Sequence, residues 1–158
     1  MRISMFGIAA LAAGFVSVAA VDARTYGAKD IVGIARVIDG DGISVGDIPD
    51  IRLQGIAAPE DNDAKREPGG PESSANLRAL VEGKEVVCRP DGTRTRGRPV
   101  AVCFVVDPYT GRFVDIGQYQ VETGHARDCP RFSKGRYAEA EARARAAGRD
   151  LSQIYSLP

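Results

Sequence analysis

From residue 29 onward, short apolar runs alternate with clusters of glycine and aspartate. The run "IVGIARVI" at 31–38 is followed by "DGDG", then by "ISV", a Pro-Asp turn and "IRLQGI". Glycine and aspartate clusters favour tight turns, and this spacing is typical of an antiparallel meander. Further β-like runs lie around 84–88 and 99–106, with 112–114 completing a last hairpin. The pattern predicts five short strands, with a turn-rich loop between the fourth and the fifth.

Three segments have the pattern of helices. "PESSANLRALVEG" begins with Pro71 near the first helical position and ends at Gly83, and "DIGQYQVETG" follows the last strand. "GRYAEAEARARAAGRD" is rich in alanine and ends at Gly148. One helix after the third strand and helices after the last predict an α+β fold dominated by a β-barrel. We expect a five-stranded barrel of the OB-fold kind with about three helices.

The N-terminal segment has the composition of a secretory signal peptide. Seventeen residues from Met5 to Val21 carry no charge, and small residues follow at positions compatible with cleavage. The alternative is an uncleaved membrane anchor, because the segment is at the short limit for a spanning helix. We expect 1–23 to be the signal peptide and 24–158 to be a single domain that is secreted or periplasmic, monomeric and not attached to a membrane once the signal is removed.

Composition indicates an ordinary globular protein. The 158 residues are 44% hydrophobic and 27% charged, with 21 basic and 21 acidic side chains. This balance argues against indiscriminate coating of nucleic acid. Arginines nevertheless cluster within 89–98 and within 127–136. These clusters are either solvated loops or a surface that faces an anion.

The chain has three cysteines, Cys88, Cys103 and Cys129. Exported proteins tend to pair their thiols, so one cysteine is left over. Cys88 and Cys103 each end a β-like run, and we predict a cross-strand disulfide between them. A single histidine and the absence of a C-x-x-C motif argue against a zinc site.

Four charged residues flank the apolar runs and suggest chemistry when taken together. By itself the aspartate pair of "DGDG" is typical of a tight turn. Asp41, Arg52, Glu60 and Arg98, however, form a set suited to phosphodiester hydrolysis. Arginine forks hold phosphoryl oxygens, a carboxylate activates water, and an oxygen-liganded cation bridges phosphate and protein.

Several ordered motifs resemble the staphylococcal nuclease (thermonuclease) family. They are "VIDGDG", "RLQGIAAPE", "GRPVAV" and "GRYAEAEARARAAG", and together they span about 31–148. The resemblance implies an OB-fold barrel that cleaves DNA or RNA with calcium. It assigns Arg52 and Arg98 to the phosphate, Glu60 to the general base, and Asp41 with the backbone carbonyl of Ala58 to calcium. The alternative for each arginine is a surface ion pair.

The chain departs from the family pattern at a calcium ligand. The family has an aspartate where this chain has Ala57, and loss of an anionic ligand should weaken calcium binding strongly. Arg96 replaces a tyrosine and adds positive charge for substrate binding. Phe132 could stack on a base, or it is an ordinary rim aromatic.

Two hypotheses follow from these departures. The first is an exported metal-dependent nuclease that acts on DNA or RNA and is weakened at Ala57. The second is a catalytically degenerate OB-fold module that binds a polyanion or a protein partner. His125, Ser73 and Ser74 lack a nucleophile motif, and we expect them to be structural.

Overall fold

The computed structural model describes residues 27–158, so the predicted signal peptide lies outside the described residues. The strands are β1 Ile31–Asp39, β2 Gly42–Val45, β3 Ile48–Leu53, β4 Ile56–Ala57, β5 Asp61–Asn62, β6 Lys65–Arg66, β7 Glu85–Thr95, β8 Arg98–Val106, β9 Phe113–Asp115 and β10 Arg127–Asp128. The sheet order is β3-β2-β1-β7-β8-β9, and a parallel pairing of β3 with β8 closes it. Strands β1, β2, β3, β7 and β8 therefore form the predicted closed five-stranded OB-type barrel.

The helices are α1 Gly70–Val81, α2 Ile116–Glu122, α3 Pro130–Ser133 and α4 Ala138–Ala146, and a 3-10 turn follows at Leu151–Gln153. The three predicted helices are confirmed, with Pro71 at the start of α1. Helix α3 was not predicted, because four residues are too few to show helical periodicity. Over the part of the chain described, no helix has the length and apolar character needed to cross a membrane.

Alternation along the strands fills the barrel. In β3, Ile51 and Leu53 are buried, whereas Asp50 and Arg52 between and beside them are partly exposed. Because successive strand side chains point to opposite faces, the charged pair lies on the outer face of the barrel. Leu77 and Val81 of α1 join the same core as the inward strand residues. The barrel thus presents charge outward where β3 meets its neighbours.

The hairpin of β7 and β8 is longer than the sequence indicated. Residues expected to form a turn-rich loop continue β7 as far as Thr95, which pairs with Arg98. Only Arg96 and Gly97 form the turn, with φ values of 50° and 83°. Two adjacent left-handed residues match the twist of antiparallel strands, so the pairing continues to the turn.

The predicted disulfide is present. Cys88 and Cys103 lie directly opposite each other in the register of β7 and β8, with Cα atoms 4.0 Å apart. Cys129 is free and buried. A disulfide inside the barrel is typical of a protein that folds in an oxidising compartment.

Two short pairings connect the barrel to the rest of the chain. Strand β4 pairs with β10, which brings Ala57 opposite Arg127. Strands β5 and β6 form a small hairpin directly after Glu60. The C-terminal third and the polar loop are thereby attached beside the end of β3.

Candidate functional site

The turn that carries Asp41 is fixed from behind by two helices. A Cβ atom on Gly40 would lie 2.0 Å from Ser73 Oγ of α1, so only glycine permits this packing. Gln120 of α2, fully buried, donates from Nε2 to the Gly40 carbonyl over 2.8 Å. These contacts hold the turn against the two helices, and they thereby position the aspartates on either side of Gly40.

Asp41 is buried and paired. Its side chain forms an ion pair with Arg52 through Oδ1, and Oδ2 accepts from the backbone N–H of Ala58 over 2.8 Å. Only 3% of the residue is exposed. Both carboxylate oxygens thus have protein partners, which offset the cost of burying the charge.

Arg52 lies between two strands at the point where the barrel closes. In register it faces Gly42 of β2 on one side and Val100 of β8 on the other. Its Nη2 donates to the carbonyl of Ile56 over 3.0 Å. Burial lowers the pKa of Arg52, and the nearby charge of Arg98 acts in the same direction.

Arg98 lies beside Arg52 at the start of β8. Its Nη1 is 3.8 Å from Oδ2 of Asp50 on β3, and its buried Nε has no hydrogen-bond partner. Both arginines therefore pair with a carboxylate, but the partner of Arg52 is buried, so its pair is not the surface ion pair given as the alternative. The unpaired Nε of Arg98 is a donor that a ligand could satisfy.

Asp39 completes the group of charges on this face. Burial raises the pKa of Asp39, while Arg52 and then Arg98 act to lower it. The pKa of Asp50 is likewise raised by burial, opposed by Arg98. Two arginines and three carboxylates consequently share a small surface around the ends of β1, β3 and β8.

Glu60 is held by the segment that follows it. Its Oε2 accepts from Nδ2 of Asn62 over 3.0 Å, and its backbone N–H donates to Oε2 of Glu67 over 2.9 Å. Glu60 and Arg52 line the same cavity of about 240 Å³. The full lining is Asp41, Arg52, Ala58, Glu60, Lys65, Glu67, Tyr155, Ser156 and Pro158. The structure thus brings together three of the four charged residues singled out by sequence, with Arg98 adjacent.

The two residues predicted to bind substrate lie away from this cavity. Arg96 is an exposed residue of the β7–β8 turn. Phe132 on α3 is 60% exposed, and the guanidinium of Arg131 lies 5.4 Å from the centre of its ring. Neither side chain is among the cavity lining, so their substrate contacts stay predictions.

The residues present do not fit a calcium ion of the family type. Ala57 is 1% exposed and packs with Cys129, Leu151 and Tyr155, so a methyl group in an apolar cluster stands where the family has a ligand. Asp41 already has protein partners on both oxygens. Between residues 27 and 158, no group of three or more His, Cys, Asp or Glu side chains is arranged to hold a metal. Calcium requires six to eight oxygens, and we assign no catalytic step to it.

Sequence reasoning missed five of the nine lining residues, namely Lys65, Glu67, Tyr155, Ser156 and Pro158. Lys65 Nζ lies 2.7 Å from Oε1 of Glu67 across the β5–β6 region. These two residues come from a polar loop that has no periodic signal. Tyr155 lies beyond the last motif, so only the path of the folded chain brings it to the site.

Of the three residues expected to be structural, Ser73 and His125 make contacts within the protein, whereas the buried Oγ of Ser74 has no hydrogen-bond partner. Ser73 donates from Oγ to the backbone carbonyl of His125 over 2.6 Å, and Ser74 is fully buried. Nδ1 of His125 lies 3.1 Å from Oγ1 of Thr123, and burial lowers the pKa of His125. The bond from Ser73 to His125 joins α1 to the segment after α2, and Ser73 also packs against Gly40.

The structure is thus a closed five-stranded OB-type barrel with an arginine, a glutamate and an aspartate lining one cavity. The model of the family described as staphylococcal nuclease homologue matches residues 50–152. This chain belongs to that family, whose members are nucleases. It is also similar to succinoglycan biosynthesis protein ExoI of Rhizobium meliloti (strain 1021), with 32% identity over 128 residues. That alignment covers 77% of this chain and 64% of the relative, so the chain spans less than two thirds of the relative's length.

Proposed function

We propose that this protein is an exported phosphodiesterase of the staphylococcal nuclease type that cleaves DNA or RNA slowly. The observation that carries the proposal is the shared cavity, in which Arg52 and Glu60 face the same volume of about 240 Å³. Family membership supports nucleic acid as the substrate. The disulfide supports work outside the cytoplasm.

In this proposal the arginines bind the phosphoryl group. Arg52 offers a planar fork of donors, and Arg98 brings a buried Nε that lacks a protein partner. Charge that accumulates on phosphoryl oxygens in the transition state would be stabilised by these two guanidinium groups. The ion pair of Arg52 with Asp41 opposes this, because Asp41 competes with the phosphate for the same donors. We therefore expect a low rate.

Glu60 has the role of general base in this mechanism. A water molecule attacks phosphorus and Glu60 accepts its proton. The bond from phosphorus to the leaving sugar oxygen breaks, and that oxygen takes a proton from solvent. Asn62 orients the Glu60 carboxylate through the hydrogen bond to Oε2.

A second candidate function is binding of a polyanion without cleavage. It is favoured by the buried methyl group of Ala57 and by the pairing of both Asp41 oxygens. Under this alternative the arginine surface binds a phosphate or carboxylate polymer. Similarity to the succinoglycan biosynthesis protein adds succinoglycan to the polymers worth testing.

The mature protein should be incubated with labelled single-stranded DNA and RNA, in millimolar calcium and in chelator. We expect slow cleavage by the parent, and a loss of about 100-fold for Arg52→Lys and for Glu60→Gln. Arg78→Lys, at an exposed position of α1, is the matched control and should cleave at the parental rate. Parental cleavage that disappears in chelator would show that a metal is required despite the donor set.

Absence of cleavage, combined with binding that weakens steeply as salt rises, would replace the first candidate with the second. In that case DNA, RNA and succinoglycan should be compared at one ionic strength. Cleavage by Glu60→Gln at the parental rate would instead remove Glu60 from the mechanism.

A further inference from the structure

The C-terminal segment Leu151–Pro158 packs against the alanine that replaces the family's ligand. Leu151 and Tyr155 are each 9% exposed and form an apolar cluster with Ala57 and Cys129. Leu157 packs on the same cluster. A carboxylate at position 57 would disfavour this apolar contact. The packing of the C-terminal segment in this position therefore depends on an apolar residue at position 57.

The backbone of the segment is held at Tyr155. Arg127 donates from Nη1 to the Tyr155 carbonyl over 3.2 Å, and its Nε donates to Oε1 of Glu141 over the same distance. The Tyr155 N–H donates to the carbonyl of Leu151 over 2.9 Å. Since Arg127 lies on β10, which pairs with β4, the backbone of Tyr155 is positioned relative to β4.

Tyr155 lines the charged cavity. Tyr155, Ser156 and Pro158 form one side of the cavity that Arg52 and Glu60 line. Burial raises the pKa of Tyr155 to about 12, and the negative charge of Glu67 adds to the shift while Arg52 opposes it. The phenol therefore stays protonated at neutral pH and is available as a hydrogen-bond donor.

We propose that Tyr155 is a ligand-binding residue of this site, whose hydroxyl donates a hydrogen bond to an oxygen of the phosphate held by Arg52. This inference rests on the proposed function for the class of ligand. Tyr155 lies beyond residues 50–152, which the family model matches, so family membership does not assign it. The cavity of about 240 Å³ is smaller than usual small-molecule sites of about 300–1,000 Å³. We infer that it takes one phosphate with its adjoining sugar.

The test measures binding by calorimetry for the full mature chain, using a 5′-phosphorylated dinucleotide and the same dinucleotide without the phosphate. Tyr155→Phe keeps the ring and removes the hydroxyl. We expect the variant to bind the phosphorylated probe about tenfold more weakly, since a hydrogen bond to a charged group has about that effect. The unphosphorylated probe should bind both proteins equally.

Tyr119→Phe is the matched control, because this half-buried tyrosine of α2 lines a different surface cavity. It should bind both probes as the parent does. Equal affinity of the parent and Tyr155→Phe for the phosphorylated probe would overturn the inference, and so would a parent that does not discriminate between the probes. A parent that binds the phosphorylated probe but does not cleave nucleic acid would contradict the hydrolysis proposal and leave the role of Tyr155 supported by its affinity difference.

Discussion

Asp41 and Arg52 form an ion pair inside the candidate cavity, and Asp41 is almost completely buried. Removing one charge of such a pair leaves the other without compensation. We expect Asp41→Asn to lower the free energy of unfolding by about 2–3 kcal/mol, measured by urea denaturation followed by circular dichroism. Asp47→Asn, in the exposed turn before β3, should change it by less than about 0.5 kcal/mol. An equally small effect at Asp41 would contradict the pairing.

Calcium should not stabilise the parent protein. A ligand that binds only the folded state raises the melting temperature, and the donor set around Asp41 lacks the partners that calcium needs. We expect the same melting temperature in millimolar calcium and in chelator. Ala57→Asp should melt lower than the parent in chelator, because the new carboxylate enters an apolar cluster, and calcium should recover part of the loss. A clear rise for the parent in calcium would contradict our account of the site.

The disulfide should stabilise the barrel. Cys88 and Cys103 are separated by 15 residues, and closure of a loop of that length contributes about 3 kcal/mol. Cys88→Ala combined with Cys103→Ala should lower the urea midpoint accordingly, and a reducing agent should lower the parental midpoint in the same direction. Cys129→Ala is the control for loss of a buried thiol: it keeps the disulfide, so the reducing agent should lower its midpoint as it lowers the parental one. The midpoint of the double variant, which has no disulfide, should not respond to the reducing agent. An unchanged parental midpoint under reduction would show that the bond contributes little.

Asp39 should make stability fall as pH rises. Burial raises its pKa above the ordinary value of 3.8, so in the interval above 3.8 the folded state binds more protons than the unfolded state. The folded state loses this advantage as pH rises through the folded pKa. Asp39→Asn removes the cost of burying an ionised carboxylate. The free energy of unfolding of this variant should therefore rise relative to that of the parent as pH increases from 3 to 7.

Asp107 provides a control of opposite sign for that pH experiment. Hydrogen bonds from the N–H groups of Thr110 and Tyr109 lower the pKa of Asp107 below 3.8. The stabilisation that Asp107 provides is present above its pKa in the unfolded state and is lost as pH falls through its pKa in the folded state. The free energy of unfolding of Asp107→Asn should therefore fall relative to that of the parent as pH rises from 2 to 5. The two variants showing the same trend would contradict both assignments.

Local pattern was sufficient to predict the barrel strands and the three longer helices. Alternation along β3, proline at the start of α1 and glycine after α4 act over a few neighbouring residues. The pairing of Cys88 with Cys103 was predictable for a similar reason, since each ends an apolar run of the sequence and the two runs form one hairpin. The length of that hairpin was underestimated, because its continuation to Thr95 depends on a two-residue turn at Arg96–Gly97.

The sequence by itself determined which segments form strands and helices, because periodicity is a local property. Motif spacing, which is also local, identified Arg52, Glu60 and Asp41 as candidate site residues. Only the tertiary structure decided which of them share a cavity and which are paired. Barrel closure between β3 and β8 brings Arg98 beside Arg52. The return of the C-terminal segment places Tyr155 within the cavity. Such contacts join residues distant in the chain, and packing of the whole core selects them.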